Sequence, residues 1–346
     1  MKKASFLLIG PYPDKEFRHI GGTSVLFRSL IDYLNSKSLN YLFVSTTKYG
    51  GFGSGLLNFL NVIIHSTLLM PSRDIVVFNF NKRSVIFLAP ILFWYAGLVN
   101  AKVAIRMFGS SSIQLLESTN AFLTMLLNKI FANADILFFE TKIEVDYFKK
   151  INKNTYLFPN CRNHSVAFRP REYTKKFVFI SQVKIEKGIL LILEAFRELS
   201  IEYSIDIYGP IIDQGLTFIK NLSCYKGIID FDDVYDTLDN YDMLLLPTFQ
   251  KGEGYPGIII EAYSMSLPVI TTEWNSIPEI VQDGVSGLLI EPQSVRALKE
   301  AILKVNEKNY SVMNSGAFEM SKNYQSDKVH EQIVSIMQDI TKLNFN

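Results

Sequence analysis

Short apolar runs alternate with amphipathic stretches along the whole chain, the pattern of a parallel sheet covered by helices. In the first half the runs predict strands over 5–9, 41–45, 75–79, 102–106, 136–139 and 156–158. A second series predicts strands over 177–180, 203–208, 227–229, 243–246, 268–271 and 287–290. Helical stretches fall between them. One, over 188–199, places Ile189, Leu190, Ile192, Leu193, Phe196 and Leu199 at helical spacing. Pro159-Asn160 marks a turn, and the polar, Arg- and Pro-rich stretch 161–174 reads as a linker. The expected organisation is two doubly wound, Rossmann-like α/β domains, 1–170 and 171–327, facing a central cleft. A final helix at about 328–346 is expected to pack back on the first domain. In open sheets of this kind ligands sit at the carboxyl ends of the strands.

Two stretches depart from simple alternation. Residues 84–101 carry no charge, a length bordering on a membrane span. Pro90 interrupts that run, and Asn100 leads directly into the next strand, so a buried or half-buried helix is expected instead. Residues 56–70 are apolar on more than one face, which suits either a core helix or one resting on a bilayer surface. The first apolar run, 5–9, is too short for a signal peptide and reads as a buried strand.

With 346 residues, 48% of them hydrophobic, the chain is long enough for two cores. A net charge of +1 gives no overall basic excess, so nucleic acid is not the expected partner. Cys161 and Cys224 lie far apart without metal-ligand spacing. They read as reduced, which implies a cytoplasmic protein. The four histidines are scattered.

Candidate chemistry collects after the expected strands. Gly21-Gly22 precedes a helix, an arrangement that exposes amides and admits a diphosphate. Gln182, Lys184 and Lys187 follow the first strand of the second half, with Lys187 beside a helix start where an ammonium can meet an anion. Gly209 closes a strand in Tyr208-Gly209-Pro210, where backbone could approach a nucleotide base. Glu253 and Glu261 lie eight positions apart in Glu253-Gly254-Tyr255-Pro256-Gly257-Ile258-Ile259-Ile260-Glu261. The first is in a Gly/Pro loop, the second one turn into an apolar helix. Pro256 suits the first turn of that helix, and Gly257 leaves room at the backbone for a ligand. Carboxylates accept from sugar hydroxyls, and free N-terminal amides hold phosphate. A sugar nucleotide requires both.

In this order and spacing, with Leu-Leu-Leu-Pro247, Pro268-Val269-Ile270 and Pro278-Glu279-Ile280-Val281 following in turn, the chain resembles the GT-B fold glycosyltransferases of family GT4. The resemblance covers nearly the whole chain and is strongest over 177–292. It implies a retaining, metal-independent glycosyltransferase that needs no cofactor. A nucleoside-diphosphate sugar is the implied donor and a glycan or lipid-linked glycan the acceptor, in bacterial surface polysaccharide assembly. The first domain would bind acceptor and the second the donor. By the same resemblance Glu253 contacts hydroxyls of the donor sugar, Glu261 binds the ribose, and Lys187 neutralises the diphosphate. Gly21 and Gly22 face the phosphates, and backbone amides near Tyr255 to Ile258 complete the cradle, with Gly254, Pro256 and Gly257 among its residues.

Two positions depart from the family pattern. Gln182 stands where an Arg is common, leaving Lys184 or Arg106 to supply the charge. The fourth strand ends in Arg106-Met107-Phe108 without the His many members place there, and Arg106 is assigned a related role. Asp230-Phe231-Asp232-Asp233 is read as helix capping rather than a metal motif. Competing functions are a non-catalytic subunit supporting a partner transferase and a sugar-nucleotide epimerase. The apolar helices would allow peripheral contact with the inner face of the plasma membrane.

Overall fold

A computed structural model describes residues 5–12, 22–47, 54–164, 167–168 and 170–343. The chain divides into two compact units, one of residues 1–159 with 326–346 and one of 160–325. In the first, strands β1 (Ser5–Gly10), β2 (Asn40–Ser45), β3 (Ile75–Phe80), β4 (Lys102–Met107), β5 (Ile136–Phe139) and β6 (Thr155–Leu157) form one parallel sheet. Their order is β2-β1-β3-β4-β5-β6. β1 and β3 are buried along their full length, as a parallel strand covered on both faces must be. The covering helices are α1 (Gly22–Ser36), α2 (Ser54–Leu69), α3 (Lys82–Phe87), α4 (Ala89–Leu98), α5 (Ser112–Ser118), α6 (Ala121–Asn133) and α7 (Lys142–Phe148).

The uncharged run over 84–101 forms two helices rather than one. Asn81 caps α3 by accepting from the amides of Arg83 and Ser84. Leu88 joins α3 to α4, and Pro90 falls in the first turn of α4, where no intrahelical N–H is needed. Val85, Ala89, Leu92 and Ala96 face the core, while Phe87, Ile91, Trp94 and Leu98 stay exposed. The expectation of a half-buried helix therefore holds for each piece.

The second unit has strands β7 (Lys176–Ile180), β8 (Ser204–Tyr208), β9 (Tyr225–Gly227), β10 (Met243–Leu246), β11 (Val269–Thr272) and β12 (Gly287–Ile290), in the order β12-β11-β10-β7-β8-β9. Its helices are α8 (Ile189–Arg197), α9 (Val234–Leu238), α10 (Gly257–Ser264), α11 (Val295–Lys304) and α12 (Glu307–Ser321). All pairings are parallel. Read from β9, this is the Rossmann order, and the winding reverses between β7 and β10. Chain segments leaving those two neighbours diverge to opposite faces, which opens a crevice at their carboxyl ends. The crossing into this unit falls after Pro159, ahead of the stretch expected as linker. Asn160 and Arg162 already bond to Tyr255 and Glu261.

The last helix, α13 (Ser326–Thr341), returns to the first unit and packs against α1. Its buried stripe includes Val329, His330, Ile333, Val334 and Met337. The His330 ring lies 5.4 Å from Tyr33 and 5.8 Å from Phe158, centroid to centroid. Burial, and then the Arg106 guanidinium, push its pKa down to about 3 from an ordinary 6.5. The unfolded chain thus binds a proton that the folded chain refuses between those values. The contribution is full above pH 6.5 and is lost as pH falls toward 3. We expect wild-type stability to drop between pH 7 and pH 5, with His330 accounting for about 2 kcal/mol of the loss. Urea unfolding of His330→Gln across the same range should show a shallower dependence, and an unchanged slope would contradict this origin.

Candidate active site

The reversal between β7 and β10 brings two segments together that are far apart in sequence. After β7 the chain makes a 3-10 turn, Ile185–Lys187, closed by Gly188 in the left-handed region at φ 82°. A Cβ on Gly188 would lie 2.2 Å from the Pro247 carbonyl oxygen, so only glycine lets the two segments touch. After β10, Thr248, Phe249 and Gln250 run beside that turn. The Phe249 amide donates to the Glu186 carbonyl at 2.8 Å. The Thr248 hydroxyl lies 3.2 Å from both that carbonyl and Glu253 Oε2. At the junction Lys187 Nζ donates to Glu253 Oε2, with side-chain exposures of 10% and 11%. Each charge is thus held by the other in a place where neither could stay alone. Removing one partner of such a pair costs about 3–5 kcal/mol, chiefly because the survivor is stranded. An ammonium has three donors, so Lys187 keeps capacity for an anion while bonded to Glu253.

Glu261 lies one turn into α10 and is also buried and paired. Arg162 Nε donates to Glu261 Oε1 at 2.6 Å. Arg162 Nη1 donates to Asn160 Oδ1 and, at 2.9 Å, to the Cys161 carbonyl. Asn160 Nδ2 in turn reaches the Tyr255 carbonyl at 2.9 Å. Burial pulls the Arg162 pKa down, but the Glu261 carboxylate outweighs burial and holds it above its ordinary value. Arg162 therefore stays charged and fixes one Glu261 oxygen.

Sequence reasoning missed Arg162 because the stretch 161–174 read as linker. A visible signal was an arginine directly after Pro159-Asn160-Cys161. Gly257 then has a different purpose from the one expected. A Cβ there would meet Arg162 Nη2 at 1.9 Å, so its bare backbone makes room for the guanidinium. Gly209 likewise serves the protein. At φ 132° its Cβ would sit 1.8 Å from the Ser181 carbonyl oxygen, a position that the main chain already fills.

The remaining candidates fall as follows. Pro256 is the N-cap of α10 rather than its first residue, and makes no side-chain cap. The amides of Gly257 and Ile258 open α10 without an intrahelical acceptor, the Ile259 amide donates to the Pro256 carbonyl at 3.1 Å, and no acid occupies the first turn. Gly254 and Tyr255 are buried, and the Tyr255 hydroxyl donates to Glu279 Oε2. Ile258 is half-buried. Lys184 is the half-buried N-cap of the 3-10 turn, and Gln182 is exposed. Gly22 opens α1 with open space around it, while Gly21 lies outside the described residues.

Arg106 is not displayed to solvent as its assignment requires. It is 1% exposed, with its guanidinium 3.4 Å from the Phe158 ring centroid and 4.8 Å from that of Phe108. A guanidinium is weakly hydrated and stacks well on aromatic faces, which explains the inward turn. Asp230 is the N-cap of the 3-10 turn Phe231–Asp233 but makes no side-chain cap bond, so the capping expected there is positional only. Among the described residues no three His, Cys, Asp or Glu side chains gather as a metal site.

Residues 174–308, which carry Lys187, Glu253 and Glu261, match the family model described as Glycosyl transferases group 1. An uncharacterised glycosyltransferase of Methanocaldococcus jannaschii is 27% identical over 157 residues, 44% of this chain and 44% of that protein. The amylovoran biosynthesis glycosyltransferase AmsK of Erwinia amylovora is 29% identical over 146 residues, 38% of this chain and 36% of the relative. The chain thus spans less than half the length of these curated relatives. Among solved structures, sucrose-phosphate synthase from Thermosynechococcus elongatus superposes with a TM-score of 0.76 at 14% identity, covering 98% of this chain and 100% of the other. Anabaena HepE in complex with UDP gives 0.74 at 11% identity, covering 97% and 100%. The two parallel six-stranded sheets are therefore those of the GT-B fold, and the second unit carries the stretch similar to group 1 glycosyl transferases.

Proposed function

We propose that the chain is a retaining glycosyltransferase of the GT4 kind. It takes a sugar from a nucleoside diphosphate and passes it to a glycan or lipid-linked glycan in bacterial surface polysaccharide assembly, in the cytoplasm. The observation that carries this reading is the placement of Lys187, Glu253 and Glu261 around the strand reversal of the second unit. A cation, a carboxylate acceptor and a helix start with free amides sit where a doubly wound sheet takes its ligand. Structures with the same fold include HepE with UDP-glucose. Partial relatives of the chain are named for amylovoran, colanic acid and capsular polysaccharide biosynthesis.

In this reading the diphosphate lies against Lys187 and the amides opening α10. Their positive charge stabilises the leaving group as the glycosidic bond to phosphate breaks. Glu253 accepts from donor-sugar hydroxyls and opposes the positive charge developing at the sugar ring. Retention follows if the acceptor hydroxyl attacks the same face that the phosphate leaves, giving its proton to the departing phosphate oxygen. The free oxygen of Glu261 takes the ribose hydroxyls. Lys187 and the amides supply the positive charge without a metal. Lys184 is the nearer replacement for the family Arg at Gln182, since Arg106 is enclosed and could act only through its field. The second unit would be the donor domain and the first the acceptor domain.

Thermal unfolding with UDP, GDP, ADP and CMP should single out one base. At 100 times its dissociation constant that nucleotide should add about 2.7 kcal/mol of stability; no stabilisation by any of them would contradict donor binding. The two glutamates should separate kinetically. Because alanine at either position strands a buried cation, the informative variants are isosteric. Glu253→Gln should lower kcat by about 10²–10³-fold with little change in nucleotide affinity. Glu261→Gln should instead weaken nucleotide binding by roughly 10- to 100-fold, through loss of charged hydrogen bonds of about 1.5–3 kcal/mol. Arg162→Met should follow Glu261→Gln, and identical small effects at both glutamates would sink the assignment.

A further inference from the structure

The first unit carries an apolar surface that its own fold leaves uncovered. On α2, Leu56, Leu57, Leu60, Ile64 and Leu68 are exposed, at 68, 71, 45, 53 and 72%. The opposite side of the same helix, through Val62 and Ser66, is buried in the core. A second stripe runs along α3 and α4 through Phe87, Ile91, Trp94 and Leu98, at spacings that keep one helical face. A third is Phe122 and Met125 on α6. These stripes are neighbours, because α4 packs against both α2 and α6. Isolated exposed apolar residues are ordinary, but three adjacent helices presenting Leu, Ile, Phe, Trp and Met together are not.

The charged side chains on α2, α3, α4 and α6 are all cations: Lys82, Arg83 and Lys129. Of the other charges over residues 74–117, Glu117 is exposed, Lys102 is paired with Asp135 at 3.0 Å and Arg106 is buried. Asp74 is turned inward, accepting from the amide and hydroxyl of Ser5 at 2.9 Å each. Exposed cations extend the apolar stripes themselves. Arg83 lies one turn before Phe87, and Lys129 one turn after Met125, each on the same helical face. Lys82 is exposed beside Arg83. Long cationic side chains at the edge of an apolar surface can reach headgroups while their stems stay in the acyl boundary.

We infer that the α2–α4–α6 face docks on an anionic phospholipid surface. The segment Gly55–Ser72 is apolar and long enough to cross a membrane, yet only 17% of it is buried. It lies on the bilayer rather than across it, because Val62, Ser66 and Met70 are anchored in the core of the sheet. A second copy fits less well, since neither copy has an acid on these helices to meet the other's cations. An anionic leaflet satisfies both the alkyl surface and the cations. This deepens the reading of a lipid-linked acceptor, but the surface and the donor site can be tested apart.

Trp94 reports on this face directly. Mixed with phosphatidylglycerol/phosphatidylcholine vesicles carrying brominated acyl chains, the full chain should lose tryptophan fluorescence, and Trp94→Phe should lose that quenching. Trp274, in the other unit with its Nε1 donating to the Gln250 carbonyl at 2.9 Å, should stay unquenched. Leu57→Gln/Ile64→Gln/Leu68→Gln should reduce vesicle binding at least tenfold. Arg83→Glu/Lys129→Glu should reduce it for phosphatidylglycerol but not change the weak binding to pure phosphatidylcholine. Both variants alter exposed side chains, and unchanged thermal unfolding would verify their fold. Nucleotide stabilisation should persist in both, which keeps this test independent of the donor site. Vesicle binding that survives the triple variant, or equal binding to neutral vesicles, would overturn the inference. A wild-type dimer in sedimentation that the triple variant abolishes would assign the face to a second copy instead and overturn it too.

Discussion

Charge cannot remain unpaired away from water, and that constraint shapes the second unit around its strand reversal. Of two acids eight residues apart Glu261 is buried and Glu253 half-buried, and the fold meets each with a buried cation from a different segment. Lys187 arrives from the end of β7, and Arg162 from the chain entering the unit. Glycines at 188 and 257 make both approaches possible. The 3-10 turn and the Thr248 bonds frame the first pair, and the Asn160 bridge frames the second. In the proposed reading Lys187, Glu261 and the amides opening α10 are the groups that meet the donor. The proposed ligand carries hydroxyls at one end and phosphates in the middle, which matches carboxylates and a cation held in advance by the fold.

The strands were readable because parallel strands buried on both faces must be continuously apolar, and here they are short and well punctuated. Their expected limits lie within a residue or two of those found, as with 243–246 and 287–290. Glu253 and Lys187 were readable as candidates because each follows a strand end. Their direct pairing was not, since it depends on the order β10-β7 and no local pattern encodes which strands become neighbours. Arg162 was hidden for the same reason. Its importance comes from a partner 99 positions away, while its local context is that of a connector.

Glycines misled in a consistent direction. Gly209 and Gly257 were read as openings for a ligand, yet the space is taken by the Ser181 carbonyl and the Arg162 guanidinium. A missing Cβ announces a close approach without saying what approaches. Arg106 misled in the opposite way. A charged residue at a strand end suggested display toward a substrate, but Phe158 and Phe108 enclose the guanidinium, which adds to burial in depressing the pKa of His330. The first unit thus directs its chemistry inward around Arg106 and its apolar surface outward on α2, α4 and α6, while the second holds its polar groups at the strand ends.

The central claim is that the strand reversal of the second unit holds the nucleotide of a sugar donor. A crystal structure of the chain grown with the nucleoside diphosphate that stabilises it most would test this directly. The diphosphate should lie within hydrogen-bonding distance of Lys187 Nζ and the first amides of α10. The ribose hydroxyls should donate to the Glu261 oxygen that Arg162 leaves free. A nucleotide bound elsewhere, or one whose ribose ignores Glu261 while the Arg162–Glu261 pair stays closed over it, would contradict the account.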